Sequence, residues 1–414
     1  MRRLGADTGA PAVVACLLLA CSFYLLQRWL EHGALADTPV YEHYAGLVRG
    51  GHVPYRDFAF EYPPAALPAL LVPSCFPWSY ATSFAVLMGA CGAGCIAAAA
   101  AVLRSVAAGA VRVWAALLAI GVSPVVLGSL FDTRYDLWPT LLAVAGVALL
   151  VRERTVTAGA LLGLGFAAKL WPGALLPLAA AYLWRRRGRG EAATVVAAFA
   201  VVALACFLPF LALSPGGVAA SLRSQLQRPL QVESLGAAVL MAAQHLGMRP
   251  LTTIDAGGGQ ALSGRGAALA ADLSTALEVA TVVGVWAVFW LRRIADPETL
   301  LAAAAGAVAA LVAFDKVLSP QYLIWLVPLV AVVRGARGVL AGILLLGALG
   351  LTQTWFPWSY WQLALAHASP WSWYLLLRDA ALVALAGVLV SALSPARDSA
   401  AETAGWPAAR RAAA

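Results

Sequence analysis

The chain has 414 residues, 62% hydrophobic and 12% charged, with a formal net charge of +8 from 28 Lys and Arg against 20 Asp and Glu. Soluble domains carry about 45–50% apolar and about 25% charged residues. No water-soluble packing of this length hides so much apolar surface, which excludes a soluble enzyme, a disordered protein and a nucleic-acid binder and indicates an all-α polytopic membrane protein.

A bilayer core takes ~20 apolar residues per helix, and the apolar runs predict about twelve spans: 11–30, 80–103, 111–130, 136–151, 156–168, 170–184, 192–213, 273–291, 299–314, 321–333, 338–353 and 373–394. Lys169-Leu170-Trp171-Pro172 is either a tight hairpin at the membrane face or a kink between two of them. Leu18-Leu19-Ala20-Cys21 faintly imitates a lipoprotein processing site, but more apolar sequence follows, so the first run is expected to stay as a span. The spans form one transmembrane domain, 1–394, and the polar, Ala-rich segment 395–414 is an expected disordered cytoplasmic tail. Cys16, Cys21, Cys75, Cys91, Cys95 and Cys206 show no ligand spacing and read as small hydrophobes.

Placing Arg2 and Arg3 in the cytoplasm puts seventeen of the 28 basic residues there in short segments, as the positive-inside rule requires. The external segments are then 31–79, 214–272 and 354–372. Most acidic residues and all five histidines fall on that outer side, so chemistry is expected on the extracytoplasmic face of a cell membrane. In the first segment Thr38-Pro39 starts a short amphipathic helix with Tyr41, Tyr44, Ala45 and Val48 on one face and Gly50-Gly51 ending it. Residues 64–74, broken by prolines, form a second interfacial or re-entrant piece. Gly257-Gly258-Gly259 predicts a mobile loop.

The densest polar signal is Asp37, followed by Val53-Pro54-Tyr55-Arg56-Asp57-Phe58-Ala59-Phe60-Glu61-Tyr62-Pro63-Pro64. Extended, this run turns Asp57, Ala59 and Glu61 one way and Phe58, Phe60 and Tyr62 the other. Two plain explanations compete with a catalytic one: loop carboxylates that are solvated or paired with Arg56, and an Asp37 that merely caps the interfacial helix. Further along stand Phe131-Asp132-Thr133-Arg134-Tyr135-Asp136, Gln227-Arg228-Pro229-Leu230-Gln231-Val232-Glu233-Ser234 and Phe314-Asp315-Lys316-Val317-Leu318-Ser319-Pro320-Gln321-Tyr322-Leu323-Ile324-Trp325. The two lysines of the chain, Lys169 and Lys316, sit at outer span ends, where a cation either snorkels or meets a phosphate.

Together the early aspartate, Pro-Tyr-Arg-Asp-Phe…Glu-Tyr-Pro-Pro, Lys-x-Trp-Pro, Arg-Pro-Leu-Gln-x-Glu-Ser and Leu-Ser-Pro-Gln-Tyr-Leu-x-Trp-Leu resemble glycosyltransferase family 87, over about residues 35–335. The resemblance implies a GT-C-type fold and transfer of a sugar, mannose above others, from a polyprenyl-phosphate-linked donor to a glycolipid or glycan acceptor. It further implies inversion at the anomeric carbon, no cofactor and no metal, with Asp37 as general base. The remaining candidates are substrate-binding residues: Arg56, Asp57, Glu61, Tyr62, Arg134, Lys169, Arg228, Lys316, Gln321 and Tyr322. The chemistry agrees, since one displacement needs one base and cations for the departing phosphate. Oxygen ligands from Asp37, Asp57 and Glu61 for a divalent ion are the weaker alternative. A multispan transporter or lipid flippase is the rival class, but it would place charges near the bilayer midplane and show two related halves.

Overall fold

The computed structural model describes residues 6–30, 35–248 and 250–393. Arg2, Arg3 and the expected tail therefore lie outside the described residues. Helices occupy all twelve expected segments, but the span count changes. Among the described residues seven helices are long and apolar enough to cross a membrane: Gly9–Arg28, Tyr80–Ser105, Arg189–Leu213, Arg265–Leu291, Pro297–Phe314, Gly335–Trp355 and Trp371–Ser391. The other five segments carry shorter helices, three of them for a physical reason visible in the sequence. Proline removes a backbone donor and collides with the preceding turn. Thus Ala110–Gly121 gives way to a new short helix at Ser123-Pro124, and Leu176–Arg187 and Leu323–Ala331 are each preceded by a 3-10 turn containing a proline.

Side-chain bonds sort the helix ends into two groups. At one end Arg104 donates to Thr8, Arg112 pairs with Glu298 at 2.5 Å, Arg186 pairs with Glu153 at 2.6 Å and Arg292 donates to the Leu393 carbonyl. At the other end Arg134 meets Asp37, Lys169 meets Asp136, and Gln225 donates to the Glu61 carbonyl. Because Arg186 and Arg187 both return to Glu153, the helices Thr155–Ala168 and Leu176–Arg187 run antiparallel. Lys169 is therefore at the tip of a hairpin, its backbone extended after the last helical turn.

The core of the bundle is the Ala-rich helix Pro297–Phe314, whose residues are almost all buried against Arg265–Leu291, Trp371–Ser391 and Leu323–Ala331. Small residues set the closest approach elsewhere. A Cβ on Gly159 or Gly163 would lie 2.5 Å from the Val195 carbonyl oxygen or 2.4 Å from that of Phe199. These glycines, four residues apart on one face, let Thr155–Ala168 and Arg189–Leu213 touch backbone to backbone.

In the first connecting segment the helix runs Thr38–Arg49 and buries Tyr41 and Ala45. The cap position belongs to Asp37 instead of the expected Thr38, and the Asp37 side chain makes no capping bond. Pro64–Cys75 is helical and packs inside the protein: Ala66 and Leu70 are fully buried, Trp138 donates to the Ala65 carbonyl and Tyr80 to that of Leu70. Residues 214–263 are more ordered than their composition suggested. They hold helices Pro215–Leu226 and Leu235–His245 and a two-stranded antiparallel hairpin, Thr252–Asp255 with Gln260–Ser263, whose turn is the glycine run.

Candidate active site

One cavity of about 550 Å³ opens at the helix ends that hold Asp37. Asp37, Glu61, Tyr62, Lys169, Arg228, Lys316, Gln321 and Tyr322 all line it, drawn from positions 37 to 322. The sequence reading thus converges on one place for eight of its eleven candidates.

Asp37 is fixed from two sides. Arg134 Nη1 stands 3.0 Å from its Oδ1, and the Tyr41 hydroxyl donates to its Oδ2 at 3.3 Å. Arg134 is itself buried and donates through Nη2 to the Leu35 carbonyl at 2.9 Å. It does not line the cavity; it acts on the cavity through Asp37, whose side chain keeps 35% of its surface open. A carboxylate used as a helix cap would turn back to the backbone. This one turns outward.

Residues 53–57 are a turn instead of the expected extended chain, the Arg56 and Asp57 backbone N–H groups both donating to the Val53 carbonyl, while 58–62 keep the alternation, with Phe60 buried, Ala59 exposed and Glu61 half-buried at the cavity wall. Its aromatic rings face protein: Phe60 packs edge-on to Tyr44, Tyr55 and Tyr62, and Tyr62 to Tyr41 and Tyr135. Arg56 and Asp57 lie outside the cavity and pair with each other at 2.8 Å at the surface. That pairing, with the Val53 backbone N–H, holds the Asp57 carboxyl down to about 2.

Lys169 and Lys316 have different surroundings. Lys169 Nζ is 2.6 Å from Asp136 Oδ1, which also accepts from Trp325 Nε1 at 2.7 Å. The ammonium sits 5.1–5.3 Å from the ring centres of Tyr135, Tyr322 and Trp325. Lys316 donates to the Leu226 carbonyl at 2.8 Å and Arg228 to that of Gly258 at 3.3 Å. Neither forms a salt bridge among the described residues. Asp315 and Glu278 lie near enough to Lys316, and Asp315 to Arg228, to feel their charge without pairing with them, so both cations keep hydrogen-bonding capacity for an anion at the cavity wall.

Three carboxylates of the neighbourhood were not singled out from sequence: Asp136 under Lys169, and Asp315 and Glu278 at the cavity wall. Asp315 Oδ1 accepts from the Val317 backbone at 2.8 Å, and burial pushes its carboxyl up. Asp136 could have been found as a carboxylate entering an apolar span, which needs a partner there. Among the described residues no group of three or more His, Cys, Asp or Glu gathers at metal-binding spacing.

The cavity also has a lipid-compatible side. Phe207, Leu222, Val279 and Leu311 line it, and an open groove over Ala276, Ala280 and Val283 shares Thr275, Val279 and Lys316 with it.

A polytopic helical membrane protein with a polar cavity at the helix ends that hold Asp37 is the class that fold and site define. A model of glycosyltransferase family 87 matches residues 60–320, and the chain belongs to that family. It is a membrane glycosyltransferase. No curated protein matches the chain.

Proposed function

We propose that the protein moves a sugar, mannose above others, from a polyprenyl-phosphate-linked donor to a hydroxyl of a glycolipid or glycan on the extracytoplasmic face, by a metal-independent inverting displacement. The observation that carries this reading is the composition of the cavity beside Asp37. It combines an outward-turned carboxylate, two cations bound only to carbonyls, and an apolar side continuous with a groove on Arg265–Leu291.

In this reading Asp37 takes the acceptor hydroxyl proton as the oxygen attacks the anomeric carbon from the face opposite the phosphate. The bond from that carbon to the phosphate oxygen breaks, and the phosphate leaves with its charge met by Arg228 and Lys316. Arg134 and Tyr41 hold the carboxylate in its orientation, which spares reorganisation during the step. The isoprenoid chain lies along the groove over Ala276, Val279, Ala280 and Val283, so that a lipid substrate never leaves the bilayer. Gln321 and Tyr322 supply hydrogen-bonding groups for sugar hydroxyls.

The test is transfer from labelled polyprenyl-phosphate mannose into the lipids of membranes containing or lacking the protein, with chelator present. Label entering lipid only when the protein is present supports the reading. Label transferred only from a nucleotide sugar, or transfer abolished by chelator, overturns it.

A further inference from the structure

Arg378 is the largest charged side chain with no exposed surface at all, and it lies within an apolar helix, Trp371–Ser391. Asp379 beside it is equally buried, with Arg378 Nε 2.9 Å from Asp379 Oδ1. Close as the pair is, neither Asp379 oxygen makes a hydrogen bond among the described residues. Desolvating such a pair costs several kcal/mol, and a leucine would pack as well, so the pair is costly unless the guanidinium does something else.

It holds a loop. Arg378 Nη2 donates to the Glu233 carbonyl at 2.6 Å, and its guanidinium lies over the Trp355 ring at 5.7 Å. Glu233 ends a segment that begins at Arg228. Between them Gln231 donates its backbone N–H to the Lys316 carbonyl at 2.9 Å, Val232 to that of Gln260 at 3.0 Å, and Leu230 accepts from Leu262 at 2.8 Å. The turn of that strand hairpin carries the Gly258 carbonyl to which Arg228 binds. The two carbonyl-bound cations of the cavity therefore sit on one frame, Arg228 by chain connection and Lys316 through Gln231, and the frame is tied to the membrane helix by Arg378.

We propose that Arg378 is a positioning residue for the phosphate of the donor, holding the 228–234 segment so that Arg228 and Lys316 face the cavity together. This rests on the proposed function, because it takes Arg228 and Lys316 as the phosphate ligands.

The experiment measures binding of a short-chain polyprenyl phosphate, and of the neutral polyprenol, to the full chain in detergent. Displacing a contact by a fraction of a bond length is costly in a preorganised site, so Arg378→Gln should raise the dissociation constant for the phosphate about tenfold. The number of sites and the polyprenol affinity should not change. Arg378→Lys keeps the charge but loses the planar fork, and should fall between at about threefold. In an Arg228→Gln background Arg378→Gln should add little. Wild-type phosphate affinity in both Arg378 variants overturns the proposal, as does a loss of sites at unchanged affinity. If the Gln variant does not fold, the Lys variant decides alone by the same affinity criterion. Wild-type affinity in Arg228→Gln would instead overturn the assignment of the phosphate ligands, which separates the two failures.

Discussion

Arg134 Nη1 stands 3.0 Å from Asp37 Oδ1, and this pair replaces the capping bond that an aspartate before a helix ordinarily makes. A capping aspartate contributes about 1 kcal/mol to its helix. Asp37→Ala alone leaves the buried Arg134 without its ion partner, so the capping role is read in an Arg134→Gln background, where adding Asp37→Ala should leave the melting temperature of the solubilised protein nearly unchanged because no cap is lost. A large further drop in that background would return Asp37 to a structural role. Arg134→Gln should lower transfer by about tenfold or more while Asp37 stays in place, since the base loses its orienting partner. Wild-type turnover in Arg134→Gln would show that the pair has no part in the reaction.

The two lysines should separate. Asp136 is 1% exposed and takes Lys169 as its ion partner, so Lys169→Gln leaves a buried carboxylate uncompensated and should cost on the order of 3 kcal/mol of stability. Lys316→Gln removes a cation bound to a carbonyl, breaks no ion pair among the described residues, and should act on donor affinity by roughly 10–100-fold. Thermal unfolding and donor binding of both variants check this. Equal behaviour in the two assays would contradict it.

Burial raises the Glu233 carboxyl to about 7 from its ordinary 4.5. The folded protein then holds a proton that the unfolded chain releases, so the contribution to stability is full below about pH 4.5 and is lost as pH rises through about 7. Glu233→Gln should remove that part of the decline, roughly 3 kcal/mol at most. Unfolding measured from pH 5 to 8 with the same slope in both proteins would rule it out.

Much of the site was legible because charge is scarce in this chain. Asp37, Glu61, Lys169, Arg228, Lys316, Gln321 and Tyr322 stood out against apolar surroundings, and the fold brings all seven to one cavity. Arg56 and Asp57 stood out equally, yet neutralise each other at the surface, a pairing that adjacency makes available to any Arg-Asp dipeptide. Among the described residues seven helices of crossing length stand where twelve spans were expected because hydropathy registers apolar runs, whereas prolines at 124, 172 and 320 mark where helices within them begin. The hairpin at 252–263 and the helices Pro215–Leu226 and Leu235–His245 have weak periodicity and are stabilised by packing onto the bundle. Nothing in the sequence marked Arg378; only the buried Glu233 carbonyl, 145 residues away, gives it meaning.

The faces of the bundle can be assigned by labelling in a cysteine-free background. Cysteine at the exposed Glu42, on the helix beside the cavity, should react with an impermeant reagent in intact cells, whereas cysteine at Gly190, at the opposite end, should not. The reverse pattern would place the cavity in the cytoplasm.

The central claim is that the Asp37 carboxylate takes the acceptor proton, and the most direct measurement is single-turnover transfer by Asp37→Asn with saturating polyprenyl-phosphate mannose. The amide keeps the size and much of the hydrogen bonding but is not a base, so the rate should fall by about 10²-fold or more with donor affinity retained. A variant that keeps more than about a tenth of the wild-type rate would contradict the account and move the base to Glu61, the other carboxylate of the first segment on the cavity wall.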